Sequence, residues 1–527
     1  MRSKRYACKK YARLKPKLPT QNGELIIFPS LVIKTIFVIF LAYFFLVIYL
    51  FCTLYIGLYC FVQLHLLYHY LRSNRPDSQS LSFDDLPVVT VQLPIFNERY
   101  VVNRLIDCVA AFDYPKDKLQ IQLLDDSTDD TLQMSEAKAA FWREQGFDIT
   151  VHHRTDRTGY KAGALRAGLS TAKGLFVAIF DADFLPSANF LKTMLPDLIR
   201  NERVAVVQAR WEHINRNYSL LTELQALQLD VHFTIEQQGR QSGGFFRQFN
   251  GTAGVWRVTA IADAGGWHDD TLTEDLDLSY RAQLRGWQVV FKEEVGAPAE
   301  LPVEMNGLKS QQFRWMKGGA ENARKLLGII WQAPITIPEK LHATGHLLNS
   351  GVFLVLFILS IVSIPLIYLQ PLTVFDAKAL SLFLSGLVAT VLLYFVGNTR
   401  HDNYKGWRTA RLLLLFPVFL TYCMGLSRHN AVAVWQGYTG RKSPFVRTPK
   451  FGISAKRDRF RSMLYMTKQA STVVYLEGLL SLIFGAAAVY GIVVGNFVFV
   501  LLHVMLFAGY GLIFFHSLRD TSAAAAS

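Results

Sequence analysis

The chain has 527 residues, too many for one ordinary compact core, and 51% of them are apolar while only 18% carry charge. Its net charge of +14 lies beside apolar runs rather than in a separate soluble patch, so anionic lipid head groups are the expected partner and nucleic acid is not. The five cysteines, Cys8, Cys52, Cys60, Cys108 and Cys423, form no CxxC pair, which argues against a zinc site or a disulfide framework.

Residues 1–30 form a basic tail, with Arg2, Lys4, Arg5, Lys9, Lys10, Arg13, Lys15 and Lys17 in its first part. Residues 31–71 are almost continuously apolar, broken chiefly by Lys34, His65 and His69. This predicts one tilted membrane helix with an interfacial extension. The run is too long for a secretory signal, and no small-residue cleavage site follows it. The basic tail argues for a cytosolic N-terminus. A single crossing would then put the next residues on the other side, and no turn signal marks a second crossing.

Residues 72–340 have ordinary charge and the size of one soluble domain. Strands are expected at Val88–Leu93, ended by Pro94, and at Gln120–Leu124, Ile149–Val151, Gly174–Phe180 and Val204–Gln208. Helices are expected between them, as at Tyr100–Phe112 and Asp130–Gln145. Such alternation predicts an α/β domain with a mostly parallel sheet covered by helices. Asn97, Asp125, Asp126, Arg154, Lys161, Asp181 and Asp183 all follow the carboxyl ends of these strands. That edge is where open α/β sheets bind ligands. No GxGxxG or Walker-type loop follows any strand.

Four short motifs stand out. Asp125-Asp126 ends a strand, where a carboxylate can accept hydrogen bonds from a nucleobase or ribose; the plainer reading is a turn or helix cap, and one of the two is expected to bind while the other caps. Asp181-Ala182-Asp183 places two carboxylates on one side of an extended chain, suited to a hard divalent cation, although Asp is also common at strand ends. Thr273-Glu274-Asp275 opens a helix-like stretch, where acidic residues ordinarily serve as caps. Gln311-Gln312-Phe313-Arg314-Trp315 joins an amide, a planar cation and a large aromatic, which suits sugar and diphosphate but also a membrane-surface anchor. Lys161, in the small-residue helix start Gly159–Leu165, could meet phosphate or simply face solvent.

Residues 341–527 are a second apolar zone, with candidate spans at 346–369, 377–397, 411–428, 472–494 and 496–516. The run 411–428 is short and contains Pro417, so an interfacial or re-entrant course is expected there. Residues 428–468 are strongly basic and read as cytosolic.

The ordered set of Asp125/Asp126, Asp181-Ala182-Asp183, Thr273-Glu274-Asp275 and Gln311–Trp315, inside one domain flanked by spans, resembles the processive family 2 glycosyltransferases. These are the cellulose, hyaluronan and mannan synthases. The wording of LPIFNE (93–98), GYKAGAL (159–165), FNGTAGVWR (249–257) and LTEDLDLSYRAQLRGW (272–287) looks closest to the plant mannan-synthase and xyloglucan-backbone branch and its bacterial relatives. The segment 436–456 also resembles that group's gating loop, with Phe445, Thr448 and Lys450 matching and Arg447 standing where the family often has Val.

The resemblance implies a glycosyltransferase A-type, Rossmann-like catalytic domain and an all-α transmembrane bundle. It implies a nucleoside-diphosphate hexose donor, GDP-mannose or UDP-glucose, and a β-linked polysaccharide acceptor. Asp125, Asp126, Lys161 and Asp181 would bind the donor, and Asp181 and Asp183 a divalent cation, Mg2+ or Mn2+. Asp275 would be the general base, with Glu274 beside it. Gln311, Arg314 and Trp315 would hold the acceptor and the diphosphate. The catalytic domain would face the cytosol, at the plasma membrane of a bacterium or in a plant Golgi, with room for a homo-oligomer. A non-processive enzyme making a membrane glycolipid is the alternative.

Overall fold

A computed structural model describes residues 20–21, 24–25, 29–73, 86–373, 383–400, 407–458, 465 and 472–525. The basic cluster within residues 1–17, the first six residues of the 377–397 window and most of 459–471 lie outside the described residues.

Seven strands form the central sheet: β1 (Val89–Ile95), β2 (Leu119–Asp125), β3 (Asp148–His153), β4 (Phe176–Ile179), β5 (Val204–His213), β6 (Gly254–Arg257) and β7 (Gln288–Ala299). Their order is β3-β2-β1-β4-β6-β5-β7. Neighbours run parallel except at β6, which lies antiparallel between β4 and β5. Two strands lie beyond the five expected, β6 and β7, and β5 runs on past Gln208 to His213 through a register shift at Ala209/Arg210.

The inner strands are buried on both faces, yet their sequences alternate. Val89, Val91 and Leu93 enter one apolar core, while Thr90 and Gln92 point to the other side. There Thr90 donates to Gln120 Oε1 (2.7 Å), and Gln92 donates to Gln122 Oε1 (3.0 Å). Buried polar groups need partners, and this ladder supplies them. Pro94 does not end β1 as expected. It pairs with Leu124 and lies beyond the last β1–β4 pair, Gln92 with Ile179, so its missing N–H costs no bond to β4.

Chain order reverses between β1 and β4, and their carboxyl ends form the crevice in which such sheets bind ligands. Four helices matter for the site: α1 (Pro29–Leu71), α2 (Tyr160–Leu169), α3 (Glu274–Leu284) and α4 (Met305–Gln332).

Helix α1 is unbroken over its 43 residues, so this segment does not double back. At 1.5 Å per residue it is about 60 Å long, roughly twice a bilayer's hydrocarbon core. Phe37, Phe51 and Phe61 on its outer face are exposed, an apolar surface of the kind a membrane-crossing helix presents. Its far end docks on the α/β domain, where Gln63 donates to Glu236 (2.7 Å) and Tyr70 to Glu293 (3.0 Å).

Gly351–Leu369, Thr472–Val493 and Val500–Thr521 are also long and apolar enough to cross a membrane. The expected window at 346 begins later, because Ile337–Leu347 is a separate helix capped by Thr336 and Glu339. Trp407–Gly425 and Ser427–Thr439 meet at a 48° bend rather than forming one straight span. The second of these leads straight into the 440–456 segment.

Candidate active site

At the end of β2 the two adjacent aspartates divide their work. Asp125 is fully buried; its Oδ1 accepts the Ser127 N–H (2.7 Å) and its Oδ2 the Ser135 hydroxyl (3.0 Å). It shapes the turn and anchors the next helix and does not line the cavity, so of the two roles expected for the pair it takes the capping one rather than the donor-binding one. Asp126 does line the cavity, held by Arg154 through Nε (2.8 Å) and Nη2 (2.6 Å). Asn97, at the end of β1, has φ 53°, a left-handed conformation that Asn tolerates. Its amide oxygen accepts the Thr128 N–H (2.8 Å) and ties the two loops together.

Across the crevice, Asp181 follows β4, and its N–H is fixed by the Thr252 hydroxyl (2.8 Å). Asp181 Oδ1 accepts from Lys161, whose ammonium also donates to the Gly251 carbonyl (2.9 Å). Asp183 is buried; its Oδ2 accepts from Lys450 (2.7 Å) and from the Glu300 N–H (3.1 Å). Among the described residues, Asp181 Oδ2 and Asp183 Oδ1 make no hydrogen bond. Two hard oxygens thus stay available in the cavity, which fits a divalent cation.

A different acidic group, His268, Asp270 and Asp277, also lies close together. Asp277 there already pairs with Arg281 (2.7 Å) and Lys325 (2.8 Å), and Lys325 also holds Asp270 (2.8 Å). Two resident cations satisfy that cluster, and it braces α3.

Helix α3 begins at the third motif. Asn322 on α4 donates to the Thr273 hydroxyl (2.9 Å) and carbonyl (3.2 Å), and Gly318 lets the two helices approach at Thr273. Asp275 is thereby fixed with Oδ1 on the Leu276 N–H (2.8 Å). Burial, then the charge of Glu274, pushes its carboxyl up to about 7. Glu274 is raised as well, first by burial, with Lys161 opposing. Asp275 borders two cavities: the donor-side one, and a second one leading toward α1 and the other apolar helices.

Gly251 has φ 80°, and a Cβ there would stand 3.0 Å from Asp275 Oδ2 and 3.6 Å from Lys161 Nζ. Gly251→Ala is therefore expected to cost about 1–3 kcal/mol in backbone strain and to displace the carboxylate. We expect kcat to fall about 10-fold or more, since small misplacements at a reacting centre are expensive. Wild-type turnover in that variant would show that the close approach is unimportant.

Helix α4 brings the last motif. Gln311, Arg314 and Trp315 all line the cavity. Arg314 Nη1 donates to the Val446 carbonyl (2.6 Å) and Nη2 to Thr448 (2.9 Å), while its guanidinium lies 4.6 Å from the Phe445 ring centre. Phe445 stacks on Tyr160 at 5.5 Å. Lys450 reaches Asp183, so Phe445, Thr448 and Lys450 all face the site. Arg447, where the family pattern departs, pairs with Glu98 at 2.7 Å. Burial raises Glu98 to about 7, and Arg447 opposes that rise.

The structure thus gathers every expected site residue but Asp125 around one cavity. It adds Glu98, Arg157, Trp211, Asn250 and Gly251. Arg157 lies 3.3 Å over the Phe96 ring. Trp211 was hidden because its strand was expected to stop at Gln208, although Ala-Arg-Trp-Glu continues the alternation.

Residues 87–318 match the family described as "Glycosyltransferase like family 2". The chain is 36% identical over 392 residues to glucomannan 4-beta-mannosyltransferase 1 of Oryza sativa subsp. japonica, covering 72% of each chain. It is 37% identical over 387 residues to glucomannan 4-beta-mannosyltransferase 2 of Arabidopsis thaliana, covering 71% of this chain and 70% of that one. Among solved structures, the mannosyltransferase PcManGT from Pyrobaculum calidifontis, in complex with GDP-Man and Mn2+, aligns at 18% identity and a TM-score of 0.48, over 77% of this chain and 100% of that one. The likeness to the plant sequences extends across most of both chains, and the chain belongs to the family 2 glycosyltransferases, on the branch of the glucomannan 4-β-mannosyltransferases.

Proposed function

We propose that the protein transfers a hexose, with inversion, from a nucleoside-diphosphate sugar to the end of a growing β-linked polysaccharide and passes the chain into the membrane. The observation that carries this reading is that Asp275 borders both cavities, one on the donor side and one leading to the apolar helices. Between GDP-mannose and UDP-glucose, the relatives' names favour mannose and a β-1,4 linkage, giving a mannan or glucomannan.

The roles follow from position. Asp126 meets the nucleoside. A divalent cation, Mg2+ or Mn2+, would be held by Asp181 and Asp183 and would stabilise charge on the departing diphosphate. Lys161 and Arg314 supply cations to the same oxygens. Trp315 and Trp211 offer ring faces to the acceptor sugar. Asp275 takes the proton of the acceptor hydroxyl as that oxygen attacks C1 and the bond from C1 to the diphosphate breaks. Attack from the face opposite an α-linked leaving group gives the β linkage. Phe445, Thr448 and Lys450 close over the donor, and Arg447 adds a tie to Glu98.

We place the catalytic domain in the cytosol. Nucleotide-sugar chemistry and the basic residues beyond Ser427 support this side. The test uses sealed vesicles with the domain outward, supplied with GDP-mannose or UDP-glucose, followed by linkage analysis. We expect β-1,4-linked polymer from GDP-mannose, protected inside the vesicles from an added endo-glycanase until detergent is added. Incorporation only after permeabilisation would overturn the sidedness. A short lipid-soluble product would favour glycolipid synthesis instead.

A further inference from the structure

The second cavity, about 300 Å3, shares Trp211, Asn250, Asp275 and Trp315 with the donor site and continues along the segment His232–Gln237 toward α1. That segment is a π-helical stretch set between Leu220–Val231 and Gln238–Gly243. Such wide turns are rare and are found mostly at functional places. Here His232 and Glu236 of this stretch line the cavity.

Glu236 is buried, yet its surroundings favour the charged form. Oε2 accepts from His232 Nδ1 (2.8 Å) and Oε1 from the Gln63 amide of α1 (2.7 Å), with Arg240 at 3.7 Å. Burial opposes its charge, but the His232 hydrogen bond and Arg240 outweigh it and hold the carboxyl at about 2. The Asn250 amide nitrogen lies 2.9 Å from His232 Nε2. An amide nitrogen only donates, so Nε2 is the acceptor there and Nδ1 is the nitrogen that donates to Glu236. Each Glu236 oxygen keeps a second lone pair for a ligand. Gln63 Oε1 and the Trp211 indole nitrogen are buried in the same cavity with no hydrogen-bond partner among the described residues. Unpaired buried polar groups are costly, and a ligand that pairs them recovers that cost.

The unmet groups among the described residues therefore include acceptors at Glu236 and Gln63, a donor at Trp211 and the Ser350 hydroxyl, which can do either, with the aromatic side chains of Trp315 and Tyr394 beside them. A neutral sugar is the ligand with that complement: several hydroxyls, each able to donate and accept, and an apolar ring face. A cation is disfavoured, because Arg240 and Gln63 already attend the carboxylate. An anionic sugar would meet Glu236 unfavourably.

We propose that Gln63, His232 and Glu236 form an acceptor subsite for a neutral hexose unit lying behind the chain end that receives the new sugar. The first membrane helix is then part of the acceptor-binding site as well as an anchor. The inference rests on the polysaccharide reading above. Asn250, which bonds His232, precedes Gly251, and Gly251 packs close beside Asp275, so the subsite adjoins the loop next to that carboxylate.

The test uses the full chain in lipid nanodiscs, with a β-1,4-linked mannose oligosaccharide as the acceptor probe. Glu236→Gln and Gln63→Leu are compared with wild type. We expect the acceptor KM to rise about 10-fold or more in each, the donor KM to stay within about twofold, and the products to shorten. Gln63→Leu is near-isosteric, and because Gln63 is buried against Glu236, thermal denaturation of both variants separates a loss of fold from a loss of acceptor binding. Wild-type acceptor KM and product length in both variants would overturn the proposal. Equal rises in donor and acceptor KM would also overturn it, by making the cluster structural. A wild-type enzyme that elongates no oligosaccharide from any donor would instead overturn the polysaccharide reading beneath it.

Discussion

Asp275→Asn is expected to lower turnover by about 10^3-fold, within the range that a positioned general base supplies. The amide keeps the shape of the carboxylate and its bond to the Leu276 N–H can persist, so donor affinity should change little. The base acts only when deprotonated. Because burial and Glu274 raise Asp275 to about 7, wild-type kcat should be fully present above that pH and fall about tenfold per unit below it. The Asn variant should lose this acid limb. Steady-state rates from pH 5 to 9, with donor binding by calorimetry, check both statements. Activity within tenfold of wild type, with the limb intact, would remove Asp275 from its role.

The second large effect is expected at the paired carboxylates. Asp183→Asn should cut transfer by about 10^2-fold or more, and chelation of divalent cations should do the same to wild type. Asp183 also anchors Lys450 at 2.7 Å, so the variant should loosen the 443–451 segment. Hydrogen exchange of that segment should rise in Asp183→Asn but not in Asp181→Asn, whose partner is Lys161 on α2. Transfer that survives both chelation and Asp183→Asn would show that no metal is needed there.

Much of this was legible in the sequence, for identifiable reasons. The strands β1 and β2 alternate apolar and polar residues and β4 is a short apolar run; each ends at or shortly before an acidic residue, and both the pattern and the site edge could be read from them. β6 is only four residues long and antiparallel, so no periodicity announces it. β7 does alternate, with Val289, Phe291, Val295 and Ala297 inward, but Lys292, Glu293 and Glu294 mask the signal. Asp125 and Asp126 were indistinguishable by type; only the strand's last residue and the turn after it decide which side each takes. His232 and Glu236 carry no motif at all. Their shared orientation depends on a π turn, which local propensity does not encode.

The position of Asp275 between the two cavities also sets the way this enzyme can fail. With the chain end seated, the carboxylate activates a sugar hydroxyl. With the chain end withdrawn, water fills the same place and meets the same base. On the proposed polysaccharide reading, a lapse yields free hexose and a slightly shorter polymer, and the backbone linkage stays uniform. The amount of free sugar released per unit polymerised is thus a direct measure of how often the chain end is out of place.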